Sequence, residues 1–90
     1  MARYRKKPVV IDAWQLDGSK EHLAAILRLS TDIAILPEAP DGTYALSIAT
    51  LEGRMIARPY DYVIRGIEGE VYPCKATTFE AMYERVEDDA

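Results

Sequence analysis

The chain has 90 residues, 49% of them hydrophobic and 29% charged, and a net charge of −4 at pH 7. That length makes one small domain over 1–90, and the apolar content excludes general disorder. No apolar run approaches the roughly 18–20 residues that span a bilayer, and the basic start MARYRKKPVVIDAW is interrupted at Asp12 before it could act as a secretory signal, so a cytoplasmic protein with no membrane partner is expected.

Residues 1–7 form a basic arm, with Arg3, Arg5, Lys6 and Lys7 and no acid. Residues 8–16, PVVIDAWQL, predict a strand, because a β-branched run followed by Trp14 favours extended backbone. Pro8 at its start removes no ladder hydrogen bond. Asp17-Gly18-Ser19 predicts a turn and a helix start, with Asp17 or Ser19 able to cap the free N–H groups of the first turn. A helix is expected over 20–29, its inward stripe formed by Leu23, Ile26 and Leu27 at helical spacing. His22 falls on the polar shoulder of that helix. Residues 31–36, TDIAIL, read as a short buried strand, and 37–42, PEAPDG, as a loop, the segment most apt to move.

The second half is dominated by strands. Residues 43–50 alternate, with Tyr44, Leu46 and Ile48 on one face. A turn at 51–53 leads into a strand over 54–58, and Pro59-Tyr60-Asp61 makes a corner. Residues 61–66 and 70–74 pair as a hairpin bracketed by Gly66 and Gly69. Residues 75–82 predict one to two helical turns. Residues 83–87 alternate again and predict a strand that closes the sheet against the first one, and 88–90 should fray. The connections are short, so pairing is antiparallel. The expected fold is α+β: a curled antiparallel sheet or partly open barrel of five or six strands, with one main helix packed on it.

Candidate chemistry is sparse. One cysteine, Cys74, permits no internal disulfide, and with one histidine the chain cannot build a standard zinc site. No metal or cofactor is expected. Cys74 is the one thiol nucleophile, but a reactive thiol needs a lowered pKa and a neighbouring base, and a structural cysteine at a strand end is the better reading. Asp61, after the Pro-Tyr corner, is expected to cap a turn. There is no glycine-rich phosphate loop and no serine in a nucleophile elbow. Tyr60, Tyr62 and Tyr72 are interleaved with Arg54, Arg58 and Arg65; tyrosine and arginine together mark binding hot spots and base-stacking sites. Tyr62 and Tyr72 are expected to pack in the sheet. Tyr60 stands at a corner where a smaller residue would serve, so Tyr60, Arg54, Arg58 and Arg65 are the candidate binding residues. The basic arm could touch phosphates, but in an acidic chain it reads better as a solvated end, and nucleic acid is not the expected partner.

Two stretches, KKPVVIDAWQ and TLEGRMIARPYDYVIRGIEGEVYPCKATTFEAMYERV, resemble a family of small uncharacterised bacteriophage and prophage proteins. Members open on a basic, Pro-Val-rich strand and close on an EGxMxAxPGDY, glycine-bracketed hairpin and YPCK pattern, then Phe-Glu and Tyr-Glu. The likeness covers both ends, about half of the chain. The sequence departs at Tyr60, where the family carries glycine, and at Ala76, where proline is common. Tyr60 must therefore do without a positive φ or bear strain. The resemblance implies a phage gene product made in the host cytoplasm and transfers no activity. The expected function is a non-enzymatic accessory protein that binds a host protein or small ligand, as a homo-oligomer. The alternatives are a nucleotide-sequestering anti-defence protein and an enzyme that depends on Cys74.

Overall fold

The computed structural model describes residues 1–30 and 32–86. Among these residues six strands and two helices follow one another as β1 (Asp12–Gln15), α1 (Lys20–Ile26), β2 (Ile33–Ile35), β3 (Leu46–Thr50), β4 (Gly53–Ala57), β5 (Tyr62–Arg65), β6 (Val71–Cys74) and α2 (Ala76–Met82), with a 3-10 turn, Leu27–Leu29, continuing α1. The fold is α+β, as the sequence predicts. The strands do not form one curled sheet: they divide into two antiparallel three-stranded sheets, ordered β1-β5-β6 and β2-β3-β4.

The first sheet joins the beginning of the chain to its end. Asp12 pairs with Arg65 and Gln15 with Tyr62, and the β5–β6 hairpin sets Ile64 opposite Tyr72 and Tyr62 opposite Cys74. The predicted first strand is cut to four residues. β5 ends at Arg65, where the Gly66–Gly69 turn begins, so residues 8–11 have no strand to pair with. In that turn Gly69 takes φ +81 and donates to the Gly66 carbonyl at 3.0 Å. The second sheet is a meander of consecutive strands, with Ile33 opposite Ile48 and Ile48 opposite Met55.

Side chains from both sheets and α1 meet in a core of Leu16, Leu23, Ile26, Ile33, Leu46, Ile48, Ala57, Val63 and Val71. Leu46 and Ile48 supply it by the period-2 alternation of β3, and Leu23 and Ile26 by the helical spacing of α1. Ser19 caps α1, its hydroxyl accepting from the His22 N–H at 3.3 Å, while Asp17 accepts from the Ser19 N–H at 2.8 Å. Both expected caps are thus used in series. On the other face of the first sheet, Tyr62 stacks on Phe79 of α2 at 3.8 Å between ring centroids, and Phe79 on Tyr83 at 4.8 Å.

The loop over 37–42 is tied internally. Ala39 donates to Thr43, Gly42 to Ala39, and the Asp41 carboxylate accepts from the Thr43 N–H and hydroxyl. Residues 83–86 form no strand, contrary to the sequence reading. The Tyr83 ring is anchored on Phe79, and that anchoring holds the chain beside α2 rather than against β1. Thr31 of the predicted second strand, Glu87 of the predicted closing strand and the predicted frayed end at 88–90 lie outside the described residues.

Candidate functional site

The corner between β4 and β5 carries the backbone exception of the molecule. Tyr60 has φ +72, the one non-glycine residue in the left-handed region among the described residues. The Asp61 N–H donates to the Arg58 carbonyl at 3.0 Å, closing a four-residue turn with Pro59 and Tyr60 at its centre. A left-handed third position defines a type II turn, where glycine is preferred. The sequence dilemma of a missing glycine is resolved by strain: Tyr60 takes the glycine conformation.

Several bonds hold it there. The Tyr60 N–H donates to the Leu16 carbonyl at 2.8 Å, and the Gln15 side-chain amide donates to the Tyr60 carbonyl at 3.1 Å. Asp61 acts as the turn cap the sequence suggests, its carboxylate accepting from the Arg58 N–H at 3.0 Å. The residue is 66% exposed. An aromatic residue is thus fixed at a strained corner and offered to solvent.

The four candidate residues do not converge on one patch. Arg58 adjoins Tyr60 in the turn and is exposed. Arg54 lies four residues back along β4, about 13 Å at strand spacing, and donates to the Ser47 hydroxyl at 2.9 Å. That bond satisfies Ser47, the one buried polar residue of the core strands. Arg65 sits at the far end of β5, about 16 Å along the strand from Tyr60. It is paired with the Asp12 carboxylate at 2.6 Å, and its guanidinium lies 5.6 Å from the centre of the Trp14 ring. The structure therefore keeps Arg58 with Tyr60, and engages Arg54 and Arg65 within the sheets.

A second feature was not singled out by sequence reasoning. The ladder Tyr62–Phe79–Tyr83 ends beneath Lys6, whose ammonium is 5.3 Å from the Tyr83 ring centre and 3.4 Å from its hydroxyl. Beside the ladder runs a groove of about 650 Å³, walled by residues 9–14 on one side and by 79–80 and 83–86 on the other. The four-residue spacing of Phe79 and Tyr83 was the available signal, since it stacks two rings on one helical face.

Cys74 is half-buried at the end of β6. Burial, reinforced by the negative charge of Asp61, pushes its thiol pKa up. That is the opposite of what a nucleophilic thiolate needs. Burial likewise raises the Tyr72 hydroxyl, with Tyr83 next in effect. His22 bonds the Gln15 carbonyl through Nε2 at 2.9 Å, tying α1 to β1. Among the described residues no three His, Cys, Asp or Glu side chains come together as a metal site, and no helix is long and apolar enough to cross a membrane. Comparison with protein-family models, curated proteins and solved structures returns no match.

Proposed function

We propose that this chain is a non-enzymatic binding protein, a bacteriophage accessory product that engages a host protein or small ligand in the host cytoplasm through the Tyr60 corner, as a homo-oligomer. One observation carries the binding reading: a tyrosine held at φ +72 and 66% exposed. Strain of this kind costs roughly 1–3 kcal/mol and gathers at functional positions. An exposed aromatic side chain on a rigid turn is also well suited to contact, because little freedom remains to be lost on binding. The phage origin rests on the resemblance of the two terminal stretches. The raised Cys74 thiol supports the non-enzymatic reading over a cysteine-dependent enzyme.

The test compares pull-downs from host lysate with wild-type protein and with Tyr60→Gly, which keeps the turn and removes the ring. A partner retained by wild type and lost by the variant is the expected result. A partner held equally by both would refute the role of Tyr60. The exposed Arg58 beside Tyr60 favours a second reading, nucleotide sequestration, in which the ring stacks a base and the guanidinium meets phosphate. Thermal-shift screening against cyclic and adenine nucleotides decides it: stabilisation that Arg58→Ala abolishes supports the reading, and no stabilisation by any of them eliminates it.

A further inference from the structure

We propose that the free edge of β1, with the groove beside it, receives the N-terminal arm of a second copy of this chain, each copy lending its arm to the other. The proposal rests on the homo-oligomer reading above and names its interface.

The edge is open. The Leu16 N–H donates to the Asp61 carbonyl and the Leu16 carbonyl accepts from Tyr60. Even-numbered residues of β1 therefore turn their backbone groups towards β5, and odd-numbered ones towards the free edge. When pairing extends β1 towards the N-terminus, Val9, Ile11 and Ala13 present N–H and C=O groups there. Pro8 is even-numbered, so its missing N–H removes no donor from that edge.

The occupant is identified by charge and by surface. The groove carries the carboxylates of Glu80 and Glu84 against Arg85, while the Asp12 carboxylate is engaged by Arg65. The arm carries Arg3, Arg5, Lys6 and Lys7 and no acid; Lys6 touches Tyr83 of its own chain and gives up that contact when the arms exchange. Apolar side chains of the arm and of the segment that follows it stand in water: Tyr4 is 94% and Val10 70% exposed.

A two-fold axis near Val10 makes the segment its own antiparallel partner. Val9 then exchanges backbone bonds with Ile11 of the other copy, and Lys7 with Ala13. In that arrangement Arg5 and Lys7, both odd-numbered, fall on the face that Ala13 shares with Tyr62. That is the face α2 covers, so the two cations lie towards Glu80 and Glu84.

The test is a charge swap read by light scattering. The wild type is expected at twice the 10.1 kDa of one chain at micromolar concentration. An arm variant, Arg5→Glu with Lys7→Glu, and a groove variant, Glu80→Lys with Glu84→Lys, should each be monomeric alone. Each then has arm and groove of like sign. An equimolar mixture restores both complementary contacts and should return to the dimer mass. A monomeric wild type overturns this interface and the homo-oligomer reading together. A wild-type oligomer that both variants retain overturns this interface and leaves the homo-oligomer reading standing. Variants that stay monomeric when mixed overturn the pairing of arm with groove.

Discussion

Replacing Tyr60 by glycine and by alanine separates the strain of the corner from the contacts of the ring. The left-handed region costs an L-residue roughly 1–2 kcal/mol, and glycine almost nothing. Glycine loses about 0.4–1 kcal/mol of that advantage because its unfolded chain is freer. Both bonds to the Tyr60 backbone, from its N–H to Leu16 and from the Gln15 amide to its carbonyl, survive either change. Tyr60 is 66% exposed, so removal of its ring forfeits little buried area. Tyr60→Gly is therefore expected to be more stable than Tyr60→Ala by about 0.5–1 kcal/mol, and more stable than wild type by a similar or slightly smaller margin. For a domain of this size that difference separates the melting midpoints by about 3–6 °C. Thermal unfolding followed by circular dichroism measures it. A glycine variant that melts at or below the alanine variant would refute the left-handed assignment, and with it the argument that the corner stores strain for binding.

Three further outcomes follow from the same geometry. The Cys74 thiol, raised by burial and by Asp61, should alkylate at neutral pH at least about ten times more slowly in the native protein than in denaturant; equal rates would contradict its burial. Gly18 has φ +85, and a Cβ there would lie 3.2 Å from Thr43 Cγ2 and 3.5 Å from Pro59. Gly18→Ala should therefore cost roughly 2 kcal/mol in urea unfolding from strain and crowding combined, and an unchanged midpoint would remove both. The bond from the Ser19 N–H, followed by that from its hydroxyl, lowers the Asp17 pKa. The carboxylate therefore contributes stability above its unfolded pKa of about 3.9, and the contribution is lost as pH falls through the lower native value. Asp17→Asn should flatten the acid limb of the stability profile; an identical acid limb in the variant would show that this bond is not linked to folding.

Local instructions were legible and long-range limits were not. Ser19 and the Leu23–Ile26 spacing announced α1, and the glycines announced the β5–β6 turn, because each acts within a few residues. The Pro59–Tyr60–Asp61 corner was legible as a turn, and the absence of glycine posed the question of strain, although only the backbone could answer it. The first strand was overestimated because alternation predicts where a strand could run, whereas β5 decides where it has a partner. The strand expected over 83–87 is absent over its described part, 83–86, for a related reason: its alternation is real, but the Tyr83 ring is committed to Phe79. Arg65 looked like a free binding residue because Asp12, its partner, is 53 positions away. Nothing in the local sequence reports a pairing of that span.

The division of strands between the sheets also fixes a timetable. β2, β3 and β4 are consecutive in the chain and pair only with one another, so their loops close over short separations. β1 must wait for β5, which requires closing the whole intervening segment, with an entropic penalty that grows with the logarithm of loop length. During synthesis the central meander can assemble while β1 is still unpaired; β1 gains its partner only once Arg65 has emerged, and the first sheet is completed only with β6, at Cys74. Substitutions in the β3–β4 hairpin should accordingly slow refolding, whereas substitutions at the β1–β5 junction should mainly hasten unfolding.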